Sequence, residues 1–354
     1  MRAGSFIFLT ALVTACTVPA APGLDAGPAI DGGERSDAGT VDAGATDDAG
    51  NDAGANADAG PGDDAGERAD AGQATPSDYD TDGAEAVQAF DVGVTTDLLH
   101  SFTVHVFLPA TDGPRPLVSL SPGLLQNANA YDAYAQRLAS HGIAAVTRDD
   151  PGVLSPTTDV TADILYVVST WLPAENADAA SPLFGRVDLA RIGLAGHSRG
   201  GKASLIAAEN GAGIAWFGLD PVDAAEFSGG VQAREHLADI HVPTAFLGMA
   251  VSSSCSPASD NYQVLFAGMP SPSVALTGVN AGHTDLESAD QCTFCGGCTP
   301  HGTADPATVL HYSVRYVTAF FARELLGDAA VGAGFEGAGV SEDIAAGLVT
   351  VEAK

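Results

Sequence analysis

An α/β architecture with a mostly parallel central sheet flanked by helices follows from three observations. Short apolar runs alternate with helix-like stretches between residues 99 and 326. A Gly-His-Ser-Arg-Gly-Gly segment at 196–201 stands at one junction between run and stretch. Everything able to form a core lies beyond about residue 83. Strands joined by crossover helices produce such alternation, and strands covered on both faces read as short apolar runs.

The first element in chain order lies outside that fold. Residues 1–16 carry Arg2, an apolar run from Phe6 to Val13, and then Val13-Thr14-Ala15-Cys16. That is the form of a bacterial lipoprotein signal peptide. An apolar run this short cannot span a membrane stably, which takes about 20 residues. The expectation is export, cleavage, and lipid on Cys16 as the sole anchor to the cell envelope. Residues 17–82 repeat Asp-Ala-Gly eight times and hold 16 acids and 2 bases, a formal −14 of the chain's −31. With almost nothing apolar to offset the ordering cost, this stretch reads as a disordered acidic tether. Strong negative charge in tether and domain alike argues against nucleic-acid binding. Residues 83–354 suffice for one large domain, expected to be a monomer.

Within that domain the expected strands are Leu99–Leu108, Leu117–Ser121, Ile143–Thr147, Arg191–Ala195, Ile214–Leu219, Thr244–Gly248 and Ser273–Val279. The expected helices are Ala130–Ser140, Val160–Trp171, Lys202–Asn210 and Pro306–Leu326. Alternation alone does not separate a hydrolase from a dinucleotide-binding fold, so the motifs decide.

Gly196-His197-Ser198-Arg199-Gly200 fits the G-x-S-x-G nucleophile elbow, with a strand before it and a helix after it. This predicts the α/β-hydrolase fold with Ser198 lifted above the sheet on a tight turn that its glycines permit. A serine hydroxyl needs a base to take its proton. Of nine histidines, His283 follows the strand Ser273–Val279 and precedes the last helix, where this fold carries its base. His197 adjoins the serine and is expected to point away. His100 and His105 lie in an early strand, His301 and His311 come late, and His141, His236 and His241 sit at element ends. For the acid, the loop after Thr244–Gly248 has no carboxylate until Asp260, whereas Asp220 directly ends the preceding strand. Asp220 is therefore the first choice, Asp223 the second and Asp260 the third. The oxyanion hole is expected from two main-chain N–H groups, that of Arg199 after the nucleophile and that of Leu124 in Ser121-Pro122-Gly123-Leu124-Leu125.

These residues carry a resemblance. Gly-His-Ser-Arg-Gly-Gly-Lys at 196–202, Leu-Asp-Pro-Val-Asp at 219–223 and Gly-His-Thr-Asp at 282–285 resemble the chlorophyllase branch of the α/β hydrolases. Arg137-Leu138-Ala139-Ser140-His141-Gly142 is similar to a segment shared with bacterial cutinases and polyester hydrolases. The likeness covers roughly residues 95–326. It implies a Ser198, Asp220, His283 triad and ester hydrolysis without cofactor or metal, on a small-molecule or polymeric ester. Polyester hydrolases usually place the acid after the next strand, which is empty here. A non-catalytic anchored binding module, or a polyester or lactone hydrolase or peptidase using the same triad, are the alternatives.

Four cysteines lie in the domain: Cys255, and Cys292, Cys295 and Cys298 in C-x2-C-x2-C with His301 in step. Three thiolates and an imidazole could hold zinc, but an exported chain favours disulfides, with three pairings possible. The expectation is that Cys255 reaches one of the cluster and pins the two loops flanking the His283 strand.

Overall fold

The computed structural model describes residues 79–96, 100–225, 230–292, 295–329, 331–332, 335 and 339–354. The signal segment with Cys16, and residues 17–78 of the expected tether, lie outside the described residues.

Among the described residues, nine strands form one sheet. They are β1 (Val87–Thr95), β2 (Ser101–Pro109), β3 (Arg115–Ser121), β4 (Ala144–Arg148), β5 (Val187–His197), β6 (Ala215–Leu219), β7 (Thr244–Val251), β8 (Ser273–Gly282) and β9 (Val349–Ala353). Their spatial order is β1-β2-β4-β3-β5-β6-β7-β8-β9. The six strands from β4 to β8 in that order pair parallel, while β2 and β9 join them antiparallel and β1 pairs antiparallel with β2 at the edge. This is the α/β-hydrolase sheet expected from the elbow, with antiparallel strands at both margins.

The helices are α1 (Asp132–Ser140), α2 (Thr157–Tyr166), α3 (Leu172–Ala177), α4 (Ser198–Glu209), α5 (Tyr262–Gly268), α6 (Pro306–Phe321) and α7 (Val340–Ala345). Period-two alternation sorts each strand's side chains into two cores. Ala195, Phe217, Leu247 and Leu276 face α1 and α6, whereas Leu194, Trp216, Phe246 and Ala275 face α2, α4 and α5. α6 begins on a sequence-legible cap: Asp305 accepts the Thr308 N–H at 3.0 Å, and Pro306 occupies the first turn. Gly327, in the left-handed conformation at φ 77°, ends the wider turn that follows it.

Several boundaries differ from expectation. α4 starts at Ser198 itself rather than Lys202, because the elbow delivers the serine as the first helical residue. A π-helical turn at Val167–Trp171 carries α2 into α3. The folded body begins by Tyr79, not residue 83. The Tyr79 ring is buried and its hydroxyl donates to Asp328 at 2.5 Å, Asp80 pairs with Arg315 at 2.8 Å, and Asp82 pairs with Arg137 at 2.8 Å. These acids share the tether's composition but meet cations on α1 and α6. β1, α3, α5, α7 and β9 had no expected counterpart. β1 alternates apolar and polar residues on an exposed edge, and β9 is a five-residue strand that finds its place only by pairing with β8.

Candidate active site

Three strand ends bring the expected side chains together. Gly196 and Gly200 make the turn at the end of β5 possible. A Cβ on Gly196 would lie 2.4 Å from the Gly200 carbonyl carbon, and one on Gly200 would lie 2.3 Å from the Pro122 oxygen. Ser198 stands on this turn at φ 54°, a left-handed conformation that costs a non-glycine residue on the order of 1–3 kcal/mol. Asp220 follows β6 at φ 37°, and Leu125 and Asn280 are left-handed too, so strain gathers around this rim of the sheet.

His283 Nε2 lies 3.0 Å from Ser198 Oγ, and its Nδ1 lies 2.6 Å from Asp220 Oδ2. The second Asp220 oxygen accepts the Met249 N–H at 3.0 Å, which fixes the carboxylate plane. Asp220 is fully buried, His283 is 4% exposed and Ser198 8%. A chain of contacts therefore runs from carboxylate through imidazole to hydroxyl. Burial holds the His283 imidazole below its ordinary pKa, with the neighbouring His197 ring acting in the same direction, so the neutral form that can accept a proton is favoured.

The other two acids are engaged elsewhere. Arg234 takes both: its Nε donates to Asp223 at 2.6 Å and its Nη2 to Asp260 at 2.6 Å. Asp223 also accepts the Ala233 and Arg234 main-chain N–H groups, so it organises a loop. Most of the remaining histidines have structural or surface settings: His100 pairs with Asp163, His105 with Asp91, His236 with Glu209, and His311 with Asp80. His141 meets the Thr81 carbonyl, and His241 and His301 are exposed.

His197 does point away from the Ser198 hydroxyl, but toward a layer that sequence reasoning missed. Its ring lies 4.5 Å from that of His283, and its Nε2–H donates to the His283 carbonyl at 3.0 Å. Its Nδ1 lies 2.7 Å from the Tyr131 hydroxyl and 3.0 Å from buried Glu287. The Tyr131 oxygen in turn accepts the Gly123 N–H at 3.0 Å. Burial pushes the Tyr131 phenol well above its usual range, so it stays protonated. A buried tyrosine and glutamate scattered over 156 residues leave no spacing to find.

For the expected oxyanion donors, the loop after β3 lies over the elbow: a Cβ on Gly123 would be 3.4 Å from Ser198 Cβ. The Leu124 N–H has no hydrogen-bond partner among the described residues, and the Arg199 N–H lies in the first turn of α4, where helical amides are unsatisfied. The cysteines pair as Cys255–Cys298, joining the loops after β7 and β8 as expected, and as Cys292–Cys295. Gln126 of the β3 loop donates to Cys292 Sγ at 3.5 Å, so the second disulfide abuts the same rim.

Comparison with known proteins is consistent with this geometry. A family model described as PET hydrolase-like matches residues 88–290. Chlorophyllase-1 of Arabidopsis thaliana is 24% identical over 253 residues, covering 64% of this chain and 77% of the plant protein.

Proposed function

Because the chain belongs to the PET hydrolase-like family of α/β hydrolases, we propose that it is a serine hydrolase cleaving carboxylic esters through an acyl-enzyme. The observation that carries this reading is the continuous contact from Asp220 through His283 to Ser198, at 2.6 and 3.0 Å. In the proposed reaction Ser198 Oγ attacks the ester carbonyl while His283 Nε2 takes its proton, and Asp220 stabilises the imidazolium through Nδ1–H. The main-chain N–H groups of Leu124 and Arg199 receive the negative charge on the carbonyl oxygen. His283 then protonates the departing alcohol, and water, deprotonated by the same nitrogen, releases the acid.

Leu124 and Leu125 beside the serine, and Val153 and Leu154 in the adjacent loop, are exposed apolar side chains, which favours esters with an apolar acyl or alcohol part. We further propose that the exported protein is held at the cell envelope by lipid on Cys16. Mass spectrometry of the membrane-associated chain tests that separately, by a diacylglyceryl mass on an N-terminal Cys16 peptide.

The deciding experiment is hydrolysis of a p-nitrophenyl ester series together with fluorophosphonate labelling. Ser198→Ala should abolish labelling and slow turnover by about 10⁶-fold. An intact wild type that neither labels nor exceeds the Ser198→Ala rate would end this reading and leave a binding module on the same scaffold.

A further inference from the structure

The Leu124 and Arg199 amides belong to different segments, one on the loop after β3 and one in the first turn of α4. Two donors that must converge on one oxygen need both segments held to within a fraction of an ångström. A single buried carboxylate bridges them.

Asp150, in the loop after β4, has its side chain 1% exposed. Its Oδ1 accepts the Leu125 N–H at 3.0 Å and the Gly152 N–H at 2.9 Å, and its Oδ2 pairs with Nη2 of Arg199. The Asp150 N–H donates to the Gln126 carbonyl at 3.0 Å, and Asp149 accepts the Ala128 N–H at 2.8 Å. The Arg199 guanidinium continues the brace to the Ser155 carbonyl at 2.7 Å and to the Gly152 carbonyl at 3.2 Å. Leu125 itself sits at φ 63°. A side chain forced into that region stays there only where its surroundings hold it, and Asp150 is the acceptor on its N–H.

We infer that Asp150, acting with the Arg199 side chain, is the positioning residue of the oxyanion hole, an assignment that rests on the ester-hydrolase reading. A buried ion pair is in general weak ground for a claim about stability. This one is distinguished by its two ends. The first touches the residue next to Leu124, and the second is the side chain of Arg199 itself, so the pair sets the separation of both donors. Its effect falls on the tetrahedral anion and not on the bound neutral ester, which places it in kcat rather than KM.

The test compares the full-chain wild type, Asp150→Asn and Arg199→Lys on p-nitrophenyl butyrate. It adds inhibition by a trifluoromethyl ketone, which forms a tetrahedral oxyanion with the serine, and by the matching secondary alcohol, which does not. Asp150→Asn should lower kcat about 10²-fold with KM little changed, the size expected for displaced reacting groups. It should weaken the ketone by the same factor and leave the alcohol alone. Arg199→Lys keeps the charge but loses the forked reach, and should shift kcat and the ketone in the same direction. Because both act through one brace, the double variant should be no slower than the slower single one.

Wild-type kcat in Asp150→Asn, or equal weakening of ketone and alcohol, overturns the inference. Should Asp150→Asn not fold, Arg199→Lys decides by the same criteria. Failure of the underlying reading looks different, because then the wild type itself is no faster than Ser198→Ala.

Discussion

Two buried histidine–carboxylate pairs stand side by side, with ring centroids 4.5 Å apart. In one, His283 contacts Asp220 through Nδ1 and the Ser198 hydroxyl through Nε2. In the other, His197 contacts Glu287 through Nδ1 and the main-chain carbonyl of His283 through Nε2. Burial and an acidic neighbour are common to both, so neither property marks a catalytic base. The group on the far nitrogen separates them. A hydroxyl can give up its proton and take it back, while a carbonyl only accepts, so the Nε2–H of His197 is permanently committed. In the proposed reaction the first pair moves a proton, while the second is tied to the main chain behind it.

The largest effect that would sharpen this contrast is on the first pair. Asp220→Asn should leave the fold intact and lower kcat about 10⁴-fold, because the imidazole loses both its tautomer and its counter-charge. A loss under tenfold would mean that the carboxylate orients nothing. On the second pair the balance should invert. Glu287→Ala should cost about 3 kcal/mol in urea unfolding, as broken buried pairs do, with kcat within tenfold of wild type. A thousandfold drop in kcat without destabilisation would erase the distinction between the pairs.

The smallest effect concerns pH. Because burial and, after it, the His197 ring both lower the His283 pKa, the imidazole protonates only below its ordinary value of 6.5. The acidic limb of kcat/KM should therefore have its midpoint under 6.5, with activity lost as pH falls through it. His197→Phe removes the second cause and should move that limb upward. A limb that stays put would show that the two rings do not sense each other.

How much of this was legible in the sequence varied with how local each signal was. Ser198 stood in a motif whose glycines are demanded by a tight turn, and His283 followed an apolar strand in the right order. Asp220 could be chosen because the loop after β7 offers no early carboxylate. The Cys255 link into the cluster followed from loops on either side of one strand. By contrast, nothing in the sequence shows that Asp223 and Asp260, the second and third choices, are both held by Arg234. Tyr79–Asp82 reads as tether because its acids match the repeats before it, and only Arg137 and Arg315 make it part of the domain. β9 is too short to declare itself without β8.

What the sequence by itself determined was the run of central strands from β2 to β8 with the helices α1, α2, α4 and α6, the elbow, and the choice of Ser198 and His283 as the residues to look for at the rim, since these depend on periodicity and on residues close together in the chain. Only the tertiary structure decided the supporting layer: Glu287 and Tyr131 behind His283, Asp150 between Leu125 and Arg199, and which cysteine of the cluster takes Cys255. Those partners are tens of residues apart in sequence and meet only because the sheet gathers its loops at one rim. Hydrogen bonds and ion pairs act over about 3 Å, and a separation of that kind is set by how the chain packs, not by how its residues are spaced.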